Sequence, residues 1–238
     1  MENTGRLSKR YAKNLQMLSE EEVLMLHSKK VCVLGCGGLG GYVVEMLGRL
    51  GIEAITVVDG DCFDESNLNR QLLATEDLIG VSKARAAQRR MASVNPRVSI
   101  TVRETYLTEE NAREIIAGHD LVFDALDSIG ARKLAAGISG DMGIPLIYGA
   151  IAGWYAQVAT IFPGEGTLES IYPGKQDKGR EAILGNPSFT PALVAAVQVS
   201  EGLKVLLGRG EVLRNRMLFI DLLNNEFDIL PLNGKIEP

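Results

Sequence analysis

An α/β fold with a mainly parallel central sheet, helices on both faces and a C-terminal antiparallel extension is what this sequence predicts. Two observations carry that expectation. Between residues 31 and 150, short runs of β-branched and apolar residues alternate with helical patterns, the order that yields parallel strands joined by crossover helices. Beyond residue 151 the alternation lapses, and two strand-like runs close around a polar turn. The 238 residues, 46% of them hydrophobic, suffice for a sizeable core, and an α/β unit of this length need not divide. We read 1–238 as a single domain: an arm and helix over 1–30, a βα core over 31–150, and a less regular part over 151–238.

The arm is basic, with Arg6, Lys9, Arg10 and Lys13, and could reach a neighbour. Ser19-Glu20-Glu21-Glu22 has capping-box spacing, in which a hydroxyl and a carboxylate three residues on satisfy exposed N–H groups, and opens a helix through about His27. Val31 to Leu34 reads as a buried strand, Leu39 to Leu50 as a helix and Ala54 to Val58 as a second strand, giving one Rossmann-like βαβ unit. A polar loop, Gly60 to Gln71, precedes a helix from about Ser82 to Val94, which Asn95-Pro96 ends because proline disfavours helical geometry in its predecessor. Next are expected a strand over Val98 to Glu104, a helix over Thr108 to Ala117, a strand over Leu121 to Ala125, a helix over Ala131 to Asp141 and a strand over Pro145 to Ala150. Tyr155 to Phe162 reads as a strand. Pro163 to Pro191, rich in Gly and Pro, is too long for an ordinary connection and is expected to be a substrate-gripping or crossover loop. An apolar helix over Ala192 to Leu207 and a hairpin of Met217 to Asp221 with Glu226 to Leu230 complete the chain.

Charge and cysteine content narrow the function classes. A net charge of -5 disfavours nucleic acid as the main partner. The first thirty residues show no apolar signal core, and no later run is expected to reach the length of a membrane span, so a cytosolic protein is expected. Cys32, Cys36 and Cys62 form no C-x-x-C pair, so no zinc site is expected. Cys32 falls on a strand as a buried hydrophobe, while Cys36 and Cys62 fall in loops where exposure is open, and nothing marks either as reactive.

Chemistry concentrates around the turn Gly35-Cys36-Gly37-Gly38-Leu39-Gly40, which joins the first strand to the next helix. A glycine turn there lets backbone N–H groups approach a phosphate, with the helix N-terminus adding partial positive charge. Alone, the turn fits a nicotinamide cofactor, ATP or tight packing. Asp59, nineteen positions after Gly40 at the end of the second strand, is placed to accept hydrogen bonds from a ribose. Asp61 is a solvated turn residue as readily as a ligand. Asn67, Arg70 and Gln71 follow in the polar loop, and Lys83 opens the next helix. Two cations near a glycine turn exceed what a pyrophosphate bridge requires but suit a triphosphate whose pyrophosphate departs. Asp127, just past the fourth predicted strand, lies at the carboxyl edge where open α/β sheets bind ligands and can hold the Mg²⁺ that ATP brings, with Asp124 the competing candidate.

The ordered segments GCGGLG, VVDGD, SNLNRQ, VSKARA and FDALDS resemble the ThiF/MoeB/HesA family, relatives of the adenylation domain of ubiquitin-activating enzymes, over nearly the whole chain. The resemblance implies an adenylyltransferase that binds MgATP and adenylates the C-terminal glycine of a small ubiquitin-like sulfur carrier protein ending in Gly-Gly, releasing pyrophosphate. It implies that 31–150 is the nucleotide-binding core and 151–238 the carrier-binding and crossover-loop part. By residue, it assigns Gly37, Gly38 and Gly40 to the phosphate turn, Asp59 to the ribose, Asn67, Arg70, Gln71 and Lys83 to the phosphates, and Asp127 to magnesium, with Arg70, Lys83 and Asp127 catalytic. In relatives the partner subunit's arm adds a basic residue over the phosphates from an Arg-Tyr-x-Arg-Gln pattern. Here Arg10-Tyr11-Ala12-Lys13-Asn14 puts Lys13 in that place, which implies a homodimer and supplies charge without a planar fork. The sequence departs from the family in lacking both zinc C-x-x-C pairs and a crossover-loop cysteine, so no thioester is expected on that loop. The family's Asp-Asn reads Asp127-Ser128, and Arg132 is expected at a phosphate or substrate, or in a surface salt bridge. Three rivals remain: a tRNA-modifying dehydratase on the same scaffold, an NAD-dependent dehydrogenase, which leaves Arg70, Lys83 and Asp127 unexplained, and a non-catalytic module binding a nucleotide or a ubiquitin-like protein.

Overall fold

The computed structural model describes residues 7–174 and 181–232; Arg6 of the basic arm and part of the 163–191 stretch lie outside the described residues. Eight strands form one sheet in the order β3-β2-β1-β4-β5-β6-β7-β8. The strands β1 (Lys30–Leu34), β2 (Ala54–Val58), β3 (Ser99–Arg103), β4 (Leu121–Asp124) and β5 (Leu146–Ala152) run parallel. The strands β6 (Tyr155–Ile161), β7 (Arg216–Asp221) and β8 (Glu226–Pro231) extend the sheet antiparallel. The central parallel strands β1 and β4 are buried on both faces because helices cover both, whereas the edge strand β3 is partly exposed. Along β1, Val31 and Val33 enter one apolar cluster while Cys32 and Leu34 enter the other, the two-residue alternation of a strand.

The first cluster holds α2 (Gly40–Leu50), α3 (Lys83–Val94) and α8 (Phe189–Leu207); the second holds α4 (Ala112–Ile116) and α5 (Ile129–Asp141). The helix α1 (Glu20–Ser28) starts at the expected capping box: the Ser19 hydroxyl accepts the Glu22 N–H and the Glu22 carboxylate accepts the Ser19 N–H. The helix α4 is shorter than expected. Asn111 Oδ1 accepts the Thr108 N–H at 2.8 Å, and this local turn competes with a helical start at Thr108. The helix α8 begins three residues earlier than expected, since Pro191 falls in its first turn, where a missing N–H costs nothing. The stretch read as a long loop contains α6 (Thr167–Ile171) and α7 (Glu181–Leu184).

One further expectation is corrected, and the arm is placed. By length and composition α8 is long and apolar enough to cross a membrane, against the expectation that no run reaches that length. In the fold it packs on α2, β5 and β6, with Gln198 and Glu201 buried within the protein. The arm, from Leu7 onward, lies on its own body. Tyr11 is fully buried, its hydroxyl accepting Asn95 Nδ2–H at 3.0 Å, and Arg10 donates to the Val94 carbonyl and to Asn95 Oδ1. A phenol ring filling an apolar pocket outweighs the freedom a basic segment otherwise keeps. Lys13 remains exposed.

Candidate active site

A cavity of about 300 Å³ opens outside the carboxyl ends of β1, β2 and β4, where the strand order reverses. Such a crevice is the general ligand site of open α/β sheets. Gly37, Gly38, Asp59, Arg70, Gln71, Lys83 and Asp127 all line it. Gly40, Asn67 and Lys13 do not line it.

The glycines divide by physical role. A Cβ on Gly40 would lie 1.8 Å from the Gly35 carbonyl oxygen, and Gly35 itself has φ +94° with the Ala125 carbonyl 2.5 Å from where its Cβ would sit. Those two allow the sharp turn and the close approach of α2. At Gly37 and Gly38 the nearest protein atoms to an added Cβ are 3.5 and 3.6 Å away, so no part of the fold forbids a side chain. Their bareness opens the cavity wall beside the N-terminus of α2, where the helix gathers partial positive charge.

Asp59 ties this turn to the sheet. Its Oδ2 accepts the Cys36 N–H at 2.7 Å and its Oδ1 the Asp61 N–H at 2.8 Å, and each oxygen keeps acceptor capacity for a hydroxyl. Burial raises its pKa, opposed by those hydrogen bonds and by Lys83. Cys36, between the glycines, is fully buried, and burial reinforced by the Asp59 carboxylate pushes its thiol well above the ordinary range. Cys32 is also buried, its thiol pushed up to about 12, and Cys62 is exposed. The exposure left open for Cys36 is thereby settled: its backbone, not its sulfur, serves the site.

Lys83 is buried at the start of α3 and its Nζ lies 3.0 Å from Asp61 Oδ2. The other Asp61 oxygen accepts the Tyr106 hydroxyl, which holds the Asp61 carboxyl below the usual range, and Lys83 adds to the effect. Asp61 is therefore a built part of the site rather than a solvated turn. Tyr106, on the segment following β3, lays its ring over Gly60, where an added Cβ would come within 2.9 Å of it. Neither Tyr106 nor this tie to Lys83 follows from sequence spacing, although residues just past a strand's carboxyl end are where such a partner belongs.

Arg70 donates to the Ser66 carbonyl at 3.0 Å and to Asn69 Oδ1 at 2.9 Å, leaving part of its guanidinium toward the cavity it lines. Gln71 is buried, its Nε2 being the nearest protein atom to a Cβ added at Gly37, and its Oε1 has no partner among the described residues. Asn67 is also buried, but its Oδ1 accepts the Asp64 N–H. It caps the short turn that precedes Arg70 and acts on the loop's shape. Asn186, in the stretch before α8, also lines the cavity, and its carbonyl accepts Asn69 Nδ2–H at 3.1 Å.

Asp127 is exposed on the cavity wall and has no hydrogen bond or ion pair among the described residues. Asp124 differs in every respect. It is fully buried, its Oδ1 accepts the Leu126 N–H at 3.0 Å, and its Oδ2 pairs with Arg132 Nη1 at 3.2 Å. Burial raises its pKa while Arg132 opposes the rise. This removes Asp124 as a competing metal carboxylate. It also corrects one reading of Arg132, whose ion pair is buried rather than on the surface, although Arg132 itself lines the cavity. Its guanidinium donates to the Leu126 and Gly149 carbonyls and lies over the Tyr148 ring, 5.3 Å from the centroid. Among the described residues no cluster of three His, Cys, Asp or Glu side chains is placed to hold a metal. Val58, Leu107, Leu126 and Ala131 give the cavity an apolar part suited to a flat base.

Residues 10–237 match the ThiF family. The chain is 33% identical over 227 residues to a SAMP-activating enzyme E1 of Haloferax volcanii, covering 93% of this chain and 84% of that protein. It is 36% identical to a sulfur carrier protein adenylyltransferase of Thermus thermophilus, covering 85% and 78% respectively. Among solved structures, E. coli MccB with ATP superimposes with a TM-score of 0.82 at 20% identity, over 94% of this chain and 72% of that one. The E. coli tRNA dehydratase TcdA with ATP gives 0.72 at 24%, over 84% and 94%. At those identities the two structures share the fold.

Proposed function

The chain belongs to the ThiF family, and from that premise we propose that its cavity binds MgATP and adenylates the C-terminal glycine of a small ubiquitin-like sulfur carrier. It is an adenylyltransferase of the ThiF/MoeB type. The observation that carries the reading is one cavity in which a bare glycine turn, an acceptor carboxylate at Asp59, two cations and an unpartnered Asp127 meet. Asp59 suits the ribose, the glycine turn and Gln71 Nε2 suit phosphate oxygens, and the apolar part suits the adenine.

The carrier's terminal carboxylate is already ionised at neutral pH and needs no strong base. One of its oxygens bonds to the α-phosphorus as the bond from that phosphorus to the bridging oxygen breaks, and pyrophosphate leaves. Arg70 and Lys83 offset the charge gathering on the leaving group. Those two are the lining cations not already committed to a buried carboxylate, and Asp59, Asp61 and Asp127 face them. An added tetra-anion thus calls for further positive charge. Asp127 fits a magnesium carboxylate, since magnesium takes one or two carboxylates and completes its shell with phosphate oxygens and water. Asp127 would hold the ion, which would supply charge to offset that of the phosphates. Lys13 of a second subunit is the other source, which would make the active form a homodimer.

Exchange of labelled pyrophosphate into ATP tests this. With small ubiquitin-like proteins ending in Gly-Gly as probes, exchange should appear with a cognate one and vanish when its last glycine is removed. ATP binding with no exchange for any such protein would instead make the chain a nucleotide-binding module. Asp127→Ala should abolish exchange while leaving the melting temperature unchanged, and undiminished exchange would remove its assigned role.

A further inference from the structure

Arg132 is nearly buried on the first turns of α5, yet its guanidinium reaches three acceptors on three segments: the Asp124 carboxylate, the Leu126 carbonyl and the Gly149 carbonyl on β5. Leu126 is gripped at both ends, because its N–H goes to Asp124 Oδ1 and its carbonyl to Arg132. The next residue is Asp127. The far side is closed by Ser128, whose hydroxyl caps α5 by accepting the Ala131 N–H at 3.3 Å. The Asp124 carbonyl is fixed separately by Gln198 Nε2 of α8 at 2.8 Å. Asp124, Leu126 and Ser128, on either side of Asp127, are thus held in place by hydrogen bonds within the protein.

We propose that Arg132 is a positioning residue for the metal carboxylate: by clamping the Asp124–Leu126 turn to β5 it fixes where Asp127 presents its oxygens to a MgATP phosphate. The planar fork matters, because a lysine at 132 keeps the charge but cannot donate in three directions from one plane. The proposal rests on the MgATP reading above.

The test is calorimetric ATP binding to the full chain, with magnesium and with EDTA, so no carrier is needed. The wild type should bind ATP more tightly with magnesium, and Asp127→Ala should lose that gain. Arg132→Met and Arg132→Lys should each reduce the gain by about tenfold, the scale on which groups behind a metal ligand act, while binding in EDTA changes by less than about twofold. Arg132→Met strands the Asp124 carboxylate and threatens folding, so Asp124→Asn/Arg132→Met serves as the second variant. It should recover the melting temperature without recovering the magnesium gain. Combining Arg132→Lys with Asp127→Ala should be no worse than Asp127→Ala alone. Equal weakening in EDTA and in magnesium would make Arg132 a direct phosphate ligand and overturn the proposal, as would a full magnesium gain in Asp124→Asn/Arg132→Met, which would leave Arg132 purely structural. A wild type without any magnesium gain would instead fail the underlying MgATP reading.

Discussion

Two carboxylate–cation pairs flank the same cavity, and they differ in burial. Asp61–Lys83 sits at the β2 side with the Asp61 side chain 45% exposed, whereas Asp124–Arg132 sits at the β4 side with the Asp124 side chain fully buried. In the first pair Lys83 is buried but water reaches the Asp61 carboxylate, which can be solvated if its cation is lost. A buried pair is costly to assemble and costlier to break, because either partner left alone is an unsolvated charge. On the reading proposed above, the first arrangement would offer a cation to an arriving phosphate and the second a rigid mount. The same chemistry would then serve a ligand on one wall and a scaffold on the other.

The contrast can be broken most forcefully by removing each cation. Arg132→Met should cost about 3–5 kcal/mol of stability, the range for stranding one member of a buried pair, whereas Lys83→Met should cost under about 1 kcal/mol. Urea unfolding measures both, and equal losses would erase the distinction. Exchange activity should rank differently: Lys83→Met is expected to lower it by about a hundredfold, the loss typical of one charge-stabilising donor.

A pH series sharpens the comparison further. Because burial raises the Asp124 pKa, the folded state holds its proton more tightly than the unfolded one. Asp124's contribution to stability is therefore full at low pH and declines as pH rises from about 3.9, the unfolded value, through the raised one. Asp61 has the opposite sign. Its lowered pKa gives a contribution present above the unfolded value and lost as pH falls through the folded one. The stability of Asp124→Asn relative to wild type should accordingly improve as pH rises through that window, and a constant difference would show that Asp124 does not titrate there. The smallest effect is expected from Tyr106→Phe, which removes the principal group lowering Asp61: its carboxyl should titrate higher by NMR, with ATP affinity falling no more than about fivefold.

Much of this was legible in the sequence, and the reason is locality. Strand β2 falls at Ala54–Val58 as its β-branched run predicts, and the capping box at Ser19 fixes the start of α1 from four adjacent residues. The spacing of Asp59 from the glycine turn is set by one βαβ unit, so its place could be counted. Tyr106 and Arg132 could not be found that way. Tyr106 meets Asp61 across 45 residues and Arg132 meets Gly149 across 17, contacts that exist only once strands are ordered in the sheet. Tyr11 hid for the same reason, because its partner Asn95 is 84 residues on. Sequence periodicity reports which face of an element is apolar, but not which polar group another element sets opposite it.

The helix α8 also bears on how the protein is made. Its Gln198 holds the Asp124 carbonyl and its apolar side chains complete the cluster over α2. During synthesis the glycine turn leaves the ribosome well before α8, which lies far downstream in the chain, and domains fold as units. The nascent chain therefore carries its glycine turn long before it carries the element that seals it, and the crevice should be complete only once α8 has been made.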